Sequence, residues 1–338
     1  ILLLKYLGFS LDDIREMTIR NSDHHFMSEF LHLQMGFLEE RMEQMELMKQ
    51  ALSDASRAID NGETVDWSQM LTLVNLNEME QKLKKQYLNS SNITARITLH
   101  NEFSRNSQGW FPWVYQQCQI RSAERVLELG CGDASLWTEN MDLLPSDVTV
   151  VLSDISDGMV RDVKKSIGTE DQRFQYEVMD AHHINATDHS VDLIIANHVL
   201  FYCEDLPKVC QEVTRVLKPG GRFVCSTYGD AHMREISQLV QEFDDRILLS
   251  ADRLYERFGK ENGAELLDKF FSQVQWQQYE DSLNVTDSEA LIAYVLSCHG
   301  NQNRYIVNRY KDFQAFVEKK TSKGFHITKD AGVFLAMI

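Results

Sequence analysis

The stretch that decides the fold of most of this chain is RVLELGCGDASLW, at residues 125–137. RVLEL has the apolar and β-branched character of a buried strand. The loop that follows carries Gly130 and Gly132, which let the backbone turn tightly and approach a ligand because no Cβ stands in the way. A strand that runs directly into such a loop predicts an α/β unit with a binding site at the end of the strand.

The same alternation of strands and helices continues downstream. Strands are predicted at 125–129, 148–152, 173–179, 191–196 and 221–227, with a helix after each of these five, and at 274–281 and 325–338. This order predicts a seven-stranded, mostly parallel, Rossmann-like sheet with helices on both faces. Residues 231–269 are expected to form a helical cap over the pocket of a second substrate.

The charges around the glycine loop limit its ligand. Glu128 and Asp133 flank the loop, which disfavours a pyrophosphate, and Ser135 stands where a dinucleotide fingerprint has its third glycine. A nicotinamide-dependent oxidoreductase is therefore disfavoured. S-adenosylmethionine suits the loop better, because it carries a sulfonium and an ammonium and has no phosphate.

Carboxylates after the next two strands agree with that ligand. Asp154 follows the second strand and can accept hydrogen bonds from a ribose diol, and Asp180 follows the third and can accept one from an adenine amine. The Met159 side chain can cover an apolar base face.

Five stretches resemble the class I S-adenosylmethionine-dependent methyltransferases: VLELGCGDASLW, SDISDGMV, VMDAHHI, VDLIIANHVLFYC and EVTRVLKPGGRF. Together they extend the resemblance over residues 90–338, with Ala134 where a third glycine is common. The resemblance implies S-adenosyl-L-methionine as cofactor. It implies cofactor contacts at Glu128, Gly130, Cys131, Gly132, Asp154, Ile155, Met159, Asp180, Ala181, Asn197 and His198.

Catalytic candidates follow the fourth strand. His198 is the best candidate for a general base, and Tyr202 for a ring that holds the acceptor, although both also suit plain packing roles. No metal site is expected, because the adjacent His182 and His183 cannot easily face one ion. The aromatic group near Trp110 is expected either to pack its helix or to cover the cofactor. The Asn-Pro-Pro-aromatic motif that is typical of nucleic-acid methylation is absent after the fourth strand, where the sequence reads NHVLF.

The first ninety residues have a different pattern. A helix predicted at 23–61 carries an apolar seam spaced alternately by four and three residues, which is typical of a coiled coil. This seam includes Leu31, Met35, Leu38, Met42, Met45, Leu52 and Ile59. The stretch YLGFSLDDIREM followed by this long helix resembles the corresponding part of the MerR family of regulators. The resemblance implies a homodimer through this helix, and promoter DNA bound only through a missing N-terminal module.

The chain is accordingly expected to have two parts, an all-α dimerisation segment at 1–80 and a methyltransferase domain at 81–338. Its net charge of −17 argues against nucleic-acid binding by these residues alone. Six cysteines without a CxxC pair and the absence of a long apolar run predict a cytoplasmic protein without a membrane span. The expected function is methylation of a small molecule. The alternative is a transcription regulator whose methyltransferase fold senses S-adenosylmethionine or its product without turnover.

Overall fold

A computed structural model describes residues 99–250, 253–298, 300–306 and 309–338, together with six helical residues between 45 and 59. The strands are β1 Arg125–Leu129, β2 Thr149–Asp154, β3 Phe174–Val178, β4 Val191–Ala196, β5 Leu217–Tyr228, β6 Gln273–Val285 and β7 Phe325–Met337. The helices are α1 Trp110–Cys118, α2 Ser135–Thr138, α3 Asp157–Ile167, α4 Leu206–Val216, α5 Arg234–Phe243, α6 Leu254–Arg257, α7 Gly263–Leu267, α8 Ser288–Leu296, α9 Gln302–Ile306 and α10 Tyr310–Thr321.

The strands form one sheet in the order β3-β2-β1-β4-β5-β7-β6. The pairs from β3 to β5 are parallel, and β7 lies antiparallel between β5 and β6. The strand order reverses between β1 and β4. In an open parallel sheet this reversal opens a crevice at the carboxyl ends of the strands. The predicted seven-stranded Rossmann-like sheet is therefore confirmed.

Side chains alternate between the two faces of the sheet along each strand, so an apolar layer lies on each face. Val126 belongs to the apolar cluster on one face of the sheet, and Leu127 and Leu129 belong to the cluster on the other. Successive side chains of a strand point to opposite faces, so Glu128 lies on the same face as Val126. A third apolar cluster joins α5, α8 and α10 to the far ends of β6 and β7.

Two boundaries differ from the sequence-based prediction. The connection from β3 to β4 contains no helix, because its residues form turns fixed by short polar contacts such as that of the Ile184 amide with Glu212 Oε2 at 2.9 Å. Strand β5 begins earlier than predicted, because Leu217 pairs with Val191 before a register shift. The cap expected at 231–269 is helical where it is described, in α5, α6 and α7.

The segment before α1 is attached to the edge of the sheet. Ser104 bridges Leu283 of β6, and the Arg105 amide donates to the Ser282 carbonyl at 2.9 Å. The fully buried carboxylate of Asp281 accepts hydrogen bonds from Ser104 Oγ at 2.8 Å and from the Asn106 amide at 3.0 Å. These contacts cover the edge of β6 and fix the start of α1.

Most of the predictions for the N-terminal part, including those for the YLGFSLDDIREM stretch, concern residues outside the described ones. Of the seam positions, Met45 and Ile59 are described; both are helical, and their side chains are 62% and 60% exposed. Leu31, Met35, Leu38, Met42 and Leu52 lie outside. Within the described part of the chain, no helix combines the length and the apolar character that crossing a bilayer requires.

Candidate functional site

The glycine loop and the loop after β4 meet at the reversal of strand order. Gly130 has a φ of +69°, and a Cβ at this position would overlap Cγ2 of Val199. Glycine is therefore required both for the backbone conformation and for the close approach of the two loops. Gly132 also has a positive φ, of +55°, and an added Cβ there would meet nothing within 4 Å. The loop thus leaves open space beside the Cα of Gly132.

Glu128 lies below this loop, in the apolar layer. Its side chain is 2% exposed, and one carboxylate oxygen accepts a hydrogen bond from Trp137 Nε1. Burial raises the pKa of Glu128 to about 8, and the nearby charges of Asp154 and Asp133 raise it further against the effect of that hydrogen bond. At neutral pH most of the Glu128 population is protonated. The negative charge expected on this side of the loop is therefore largely absent at neutral pH.

Asp154 ends β2 and is held by the backbone of two neighbouring segments. Its Oδ1 accepts a hydrogen bond from the Ser156 amide at 2.9 Å, and its Oδ2 accepts one from the Gly132 amide at 3.2 Å. A carboxylate has about four acceptor positions, and these two backbone donors fix the orientation of the group. This arrangement suits an acceptor for the two hydroxyls of a ribose.

His182, which was given no role from the sequence, holds the Asp180 carboxylate in place. Asp180 Oδ1 accepts from the His182 amide at 2.9 Å and lies 2.7 Å from His182 Nδ1. The Asp205 amide donates to His182 Nε2 at 3.3 Å, which assigns the proton of the neutral ring to Nδ1. Burial alone would raise the pKa of Asp180, but the His182 hydrogen bonds hold it below its ordinary value. The carboxylate is thus an ionised acceptor beside β3.

The remaining cofactor candidates surround these two acids. Ile155 is 61% exposed next to Asp154, which suits a side chain that covers a base. Met159 lies in the first turn of α3, where its amide donates to the capping Ser156 Oγ at 3.3 Å, and it is half-buried. Cys131 is buried in the core, and burial raises the pKa of its thiol, as fits a packing residue. Ala181 packs partly against the apolar cluster of the opposite layer.

The loop after β4 is fixed by β5. Ser226 Oγ accepts a hydrogen bond from the His198 amide at 2.8 Å and donates to Asn197 Oδ1 at 2.7 Å. His198 has a φ of +55°, an uncommon conformation for a residue with a side chain. Its ring stacks on Trp110 at 5.0 Å between centroids. Burial, followed by the charge of Lys329, lowers the pKa of His198 to about 4.

His198 is therefore a neutral imidazole at physiological pH and a weak base, and its role as general base stays a prediction. Trp110 places an indole ring from α1 on the loop after β4, so the aromatic group near Trp110 reaches this site as well as packing its helix. Tyr202 is 48% exposed, and its ring centroid lies 4.7 Å from that of Phe201.

 

The cap and β5 add further rings to this side of the crevice. Tyr228, at the end of β5, contacts Phe201 at 5.4 Å, His232 at 5.2 Å and Tyr255 of α6 at 6.2 Å between ring centroids. A cap over an acceptor pocket was predicted from the sequence, but Tyr228, His232 and Tyr255 were not predicted as site residues. Their only signal in the sequence was aromatic character, within the expected cap for His232 and Tyr255 and just before it for Tyr228.

Comparisons with known proteins agree with this geometry. Residues 127–225 match the family described as "Methyltransferase domain". Malonyl-[acyl-carrier protein] O-methyltransferase of Methylococcus capsulatus is 35% identical over 120 residues, which cover 36% of this chain and 43% of that protein. Ubiquinone/menaquinone biosynthesis C-methyltransferase UbiE of Haemophilus ducreyi is 27% identical over 142 residues, which cover 41% and 54%. The chain thus spans about half or less of these curated relatives.

A solved structure of a SAM dependent methyltransferase from Aquifex aeolicus is also similar, at 13% identity and a TM-score of 0.42, covering 77% of this chain and 98% of that one. In this chain the glycine loop, Asp154 and Asp180 follow β1, β2 and β3 in turn, and all lie within or beside the matched range. Residues 127–225 are thus similar in sequence to a methyltransferase domain, and S-adenosylmethionine is the cofactor that the glycine loop and the two carboxylates fit.

Proposed function

We propose that this chain transfers the methyl group of S-adenosylmethionine to a small molecule. The observation that supports this most is the meeting of the glycine loop with the loop after β4, through Gly130 and Val199. It brings the cofactor side, with Asp154, next to the acceptor side, with His198. The curated relatives are named for malonyl-[acyl-carrier protein] and for ubiquinone and menaquinone biosynthesis, which agrees with an acceptor other than nucleic acid.

Some of these residues would bind the cofactor, and others position the loop after β4. Asp154 and Asp180 would hold the ribose and adenine, and the open space at Gly132 admits the methionine part. When bound, S-adenosylmethionine supplies an electrophilic methyl group: an acceptor lone pair forms the new bond as the carbon–sulfur bond breaks, and that electron pair stays on sulfur. Ser226 holds the loop of Asn197 and His198 in place, so proximity and orientation supply much of the rate.

Titration calorimetry tests this function. We expect S-adenosylmethionine and S-adenosylhomocysteine to bind at one site per chain, and we expect no heat from NAD⁺, because the loop has no third glycine and Asp133 stands beside it. The two methyl-carrier ligands should compete. Binding of NAD⁺ in preference to both would contradict the proposal. Binding without methyl transfer to any acceptor would support the sensor alternative instead.

We further propose that the N-terminal segment is a MerR-type dimerisation helix, which would attach the methyltransferase domain to a regulator. The support is the sequence resemblance and the helical, exposed Met45 and Ile59. Exposed apolar side chains on one seam of a helix favour burial against a second copy.

Replacing Met45 and Ile59 together by glutamate is expected to convert a dimer into a monomer, because four like charges would face each other across the paired seam. Light scattering after gel filtration measures the mass. Ser53→Glu is the matched control, since Ser53 is helical and exposed but lies off the seam, and it should stay dimeric. A dimer that persists in the double variant would rule out this seam.

A further inference from the structure

We propose that Asp281 is a positioning residue for the methyl-transfer site, because it anchors the segment before α1 and thereby holds Trp110 against the loop after β4. This inference rests on the proposed function and adds to it a residue of β6. We call residues 104–109 the anchored segment. Asp281 acts through this segment and through Trp110, and it is not proposed to touch the cofactor or the acceptor.

The Asp281 carboxylate accepts hydrogen bonds from three consecutive residues of the anchored segment. Its Oδ1 accepts from the Arg105 amide at 3.1 Å and from the Asn106 amide at 3.0 Å, and its Oδ2 accepts from Ser104 Oγ at 2.8 Å. Lys329 Nζ lies 3.0 Å from the same Oδ2, and the Asp281 side chain is fully buried. Because hydrogen bonds to an ionised group are the strong ones, Asp281 fixes the backbone of the anchored segment to β6.

The anchored segment leads directly into α1, whose first residue is Trp110. The Trp110 ring lies between two others: it stacks on His198 at 5.0 Å with 22° between the planes, and it meets Tyr279 edge-on at 5.2 Å between centroids. Tyr279 is two residues before Asp281 on β6, so the two side chains share one face of the strand. The same strand therefore supports Trp110 twice, directly through Tyr279 and indirectly through the anchored segment.

The loop after β4 needs such support because of its backbone. His198 has a φ of +55°, and a residue with a side chain keeps this conformation only where its surroundings hold it. Ser226 Oγ accepts from the His198 amide, and Trp110 covers its ring. The next residue, Val199, lies so close to Gly130 that a Cβ there would overlap it. Releasing Trp110 should therefore loosen the loop after β4 where it meets the glycine loop.

Hydrogen exchange of Asp281→Asn, measured by mass spectrometry on the whole chain, tests this coupling. The asparagine turns an NH₂ group toward part of the donor set, and that group cannot accept a hydrogen bond. We expect amide exchange in residues 104–113 to be roughly tenfold faster or more, the effect of losing a hydrogen bond to a charged group. Exchange in residues 197–203 should also be faster. Faster exchange in residues 104–113 with unchanged exchange in residues 197–203 would overturn the proposal.

Glu235→Gln is the matched control for a general loss of stability. Glu235 is a part-buried carboxylate that accepts from the Thr328 amide at 2.9 Å and from Thr328 Oγ1 at 2.6 Å. These bonds join α5 to β7, whereas those of Asp281 join β6 to the anchored segment. Both substitutions replace a carboxylate by its amide, and exchange in residues 197–203 should stay close to that of the wild type in Glu235→Gln. Equal acceleration there in both variants would contradict a positioning role.

Titration calorimetry with S-adenosylhomocysteine relates Asp281 to the proposed function. We expect Asp281→Asn to weaken binding by roughly threefold to thirtyfold, the range of coupling through packed contacts, and Glu235→Gln to leave it unchanged. Wild-type affinity in Asp281→Asn would count against the positioning role. If the wild type itself does not bind this ligand, the proposed function fails, while the exchange data still decide whether Asp281 positions the loop.

Ser104→Ala is a milder second variant, which decides the question if Asp281→Asn does not fold. It removes the Ser104 Oγ donor and leaves the Asp281 carboxylate paired with Lys329. We expect the same two stretches, residues 104–113 and 197–203, to exchange faster by a smaller factor, and binding of S-adenosylhomocysteine to weaken in the same direction. A change confined to the anchored segment would overturn the proposal.

Discussion

Asp154→Ala is expected to weaken S-adenosylmethionine binding by at least roughly a hundredfold. The carboxylate would accept two hydrogen bonds from the ribose, and each hydrogen bond to a charged group contributes about 1.5–3 kcal/mol. The substitution also removes the acceptor for the Gly132 and Ser156 amides, which Asp154 binds at 3.2 and 2.9 Å. The glycine loop therefore loses an anchor together with the ribose contact. Titration calorimetry measures the affinity.

Asp162→Ala provides the control for Asp154→Ala. Asp162 lies on α3, just beyond the site, and its partly exposed carboxylate pairs with Lys165 at 3.1 Å. Its removal changes the net charge by the same amount and should leave the affinity close to that of the wild type. Equal affinity in Asp154→Ala and the wild type would remove Asp154 from the cofactor site.

Glu128→Gln is expected to make the stability of the fold much less sensitive to pH. Burial raises the folded pKa of Glu128 from its ordinary value of 4.5 to about 8. For a pKa raised by folding, the contribution to stability is full below pH 4.5 and is lost as the pH rises toward 8. The loss amounts to about 3 kcal/mol by pH 7, from 1.36 kcal/mol per unit of pKa shift. Glutamine has no charge to lose and keeps an oxygen that can accept from Trp137 Nε1.

Urea unfolding at pH 5 and pH 8 measures this difference. The free energy of unfolding of Glu128→Gln, relative to that of the wild type, should rise between the two pH values, because only the wild type ionises a buried group. Glu265→Gln is the control: Glu265 is 84% exposed and pairs weakly with Lys269, so its profile should run parallel to that of the wild type. A parallel profile for Glu128→Gln would mean that Glu128 is ionised in the folded chain well below pH 8.

The strands were predicted best where the local pattern is strongest. The predicted ranges 125–129 and 191–196 coincide with β1 and β4, because central parallel strands are largely apolar segments with clear ends. The helix expected after β3 was wrong, because the Asp180 and His182 contacts form a turn that the sequence pattern did not reveal. The early start of β5 depends on pairing with β4, which a local pattern does not contain.

The candidate site was predicted by residue type more than by environment. Asp154 and Asp180 were found because carboxylates at the ends of successive strands have a direct chemical use. The protonated state of Glu128 was missed, because a charge within a strand gives no sign of how deeply it is buried. The support of Ser226 for Asn197, and of Asp205 for His182, was missed as well, because each contact joins different elements.

The sequence by itself determined the α/β class, the glycine loop and the acids that favour a cationic methyl carrier, because these depend on strand periodicity and on residues close together in the chain. Only the tertiary structure decided which side chains share an environment. It stacked Trp110 on His198, gathered the rings of the cap around Tyr228 and buried Glu128. The physical reason is that burial and ring contacts arise from packing between distant segments, and packing sets the pKa values and the polarity on which the chemistry depends.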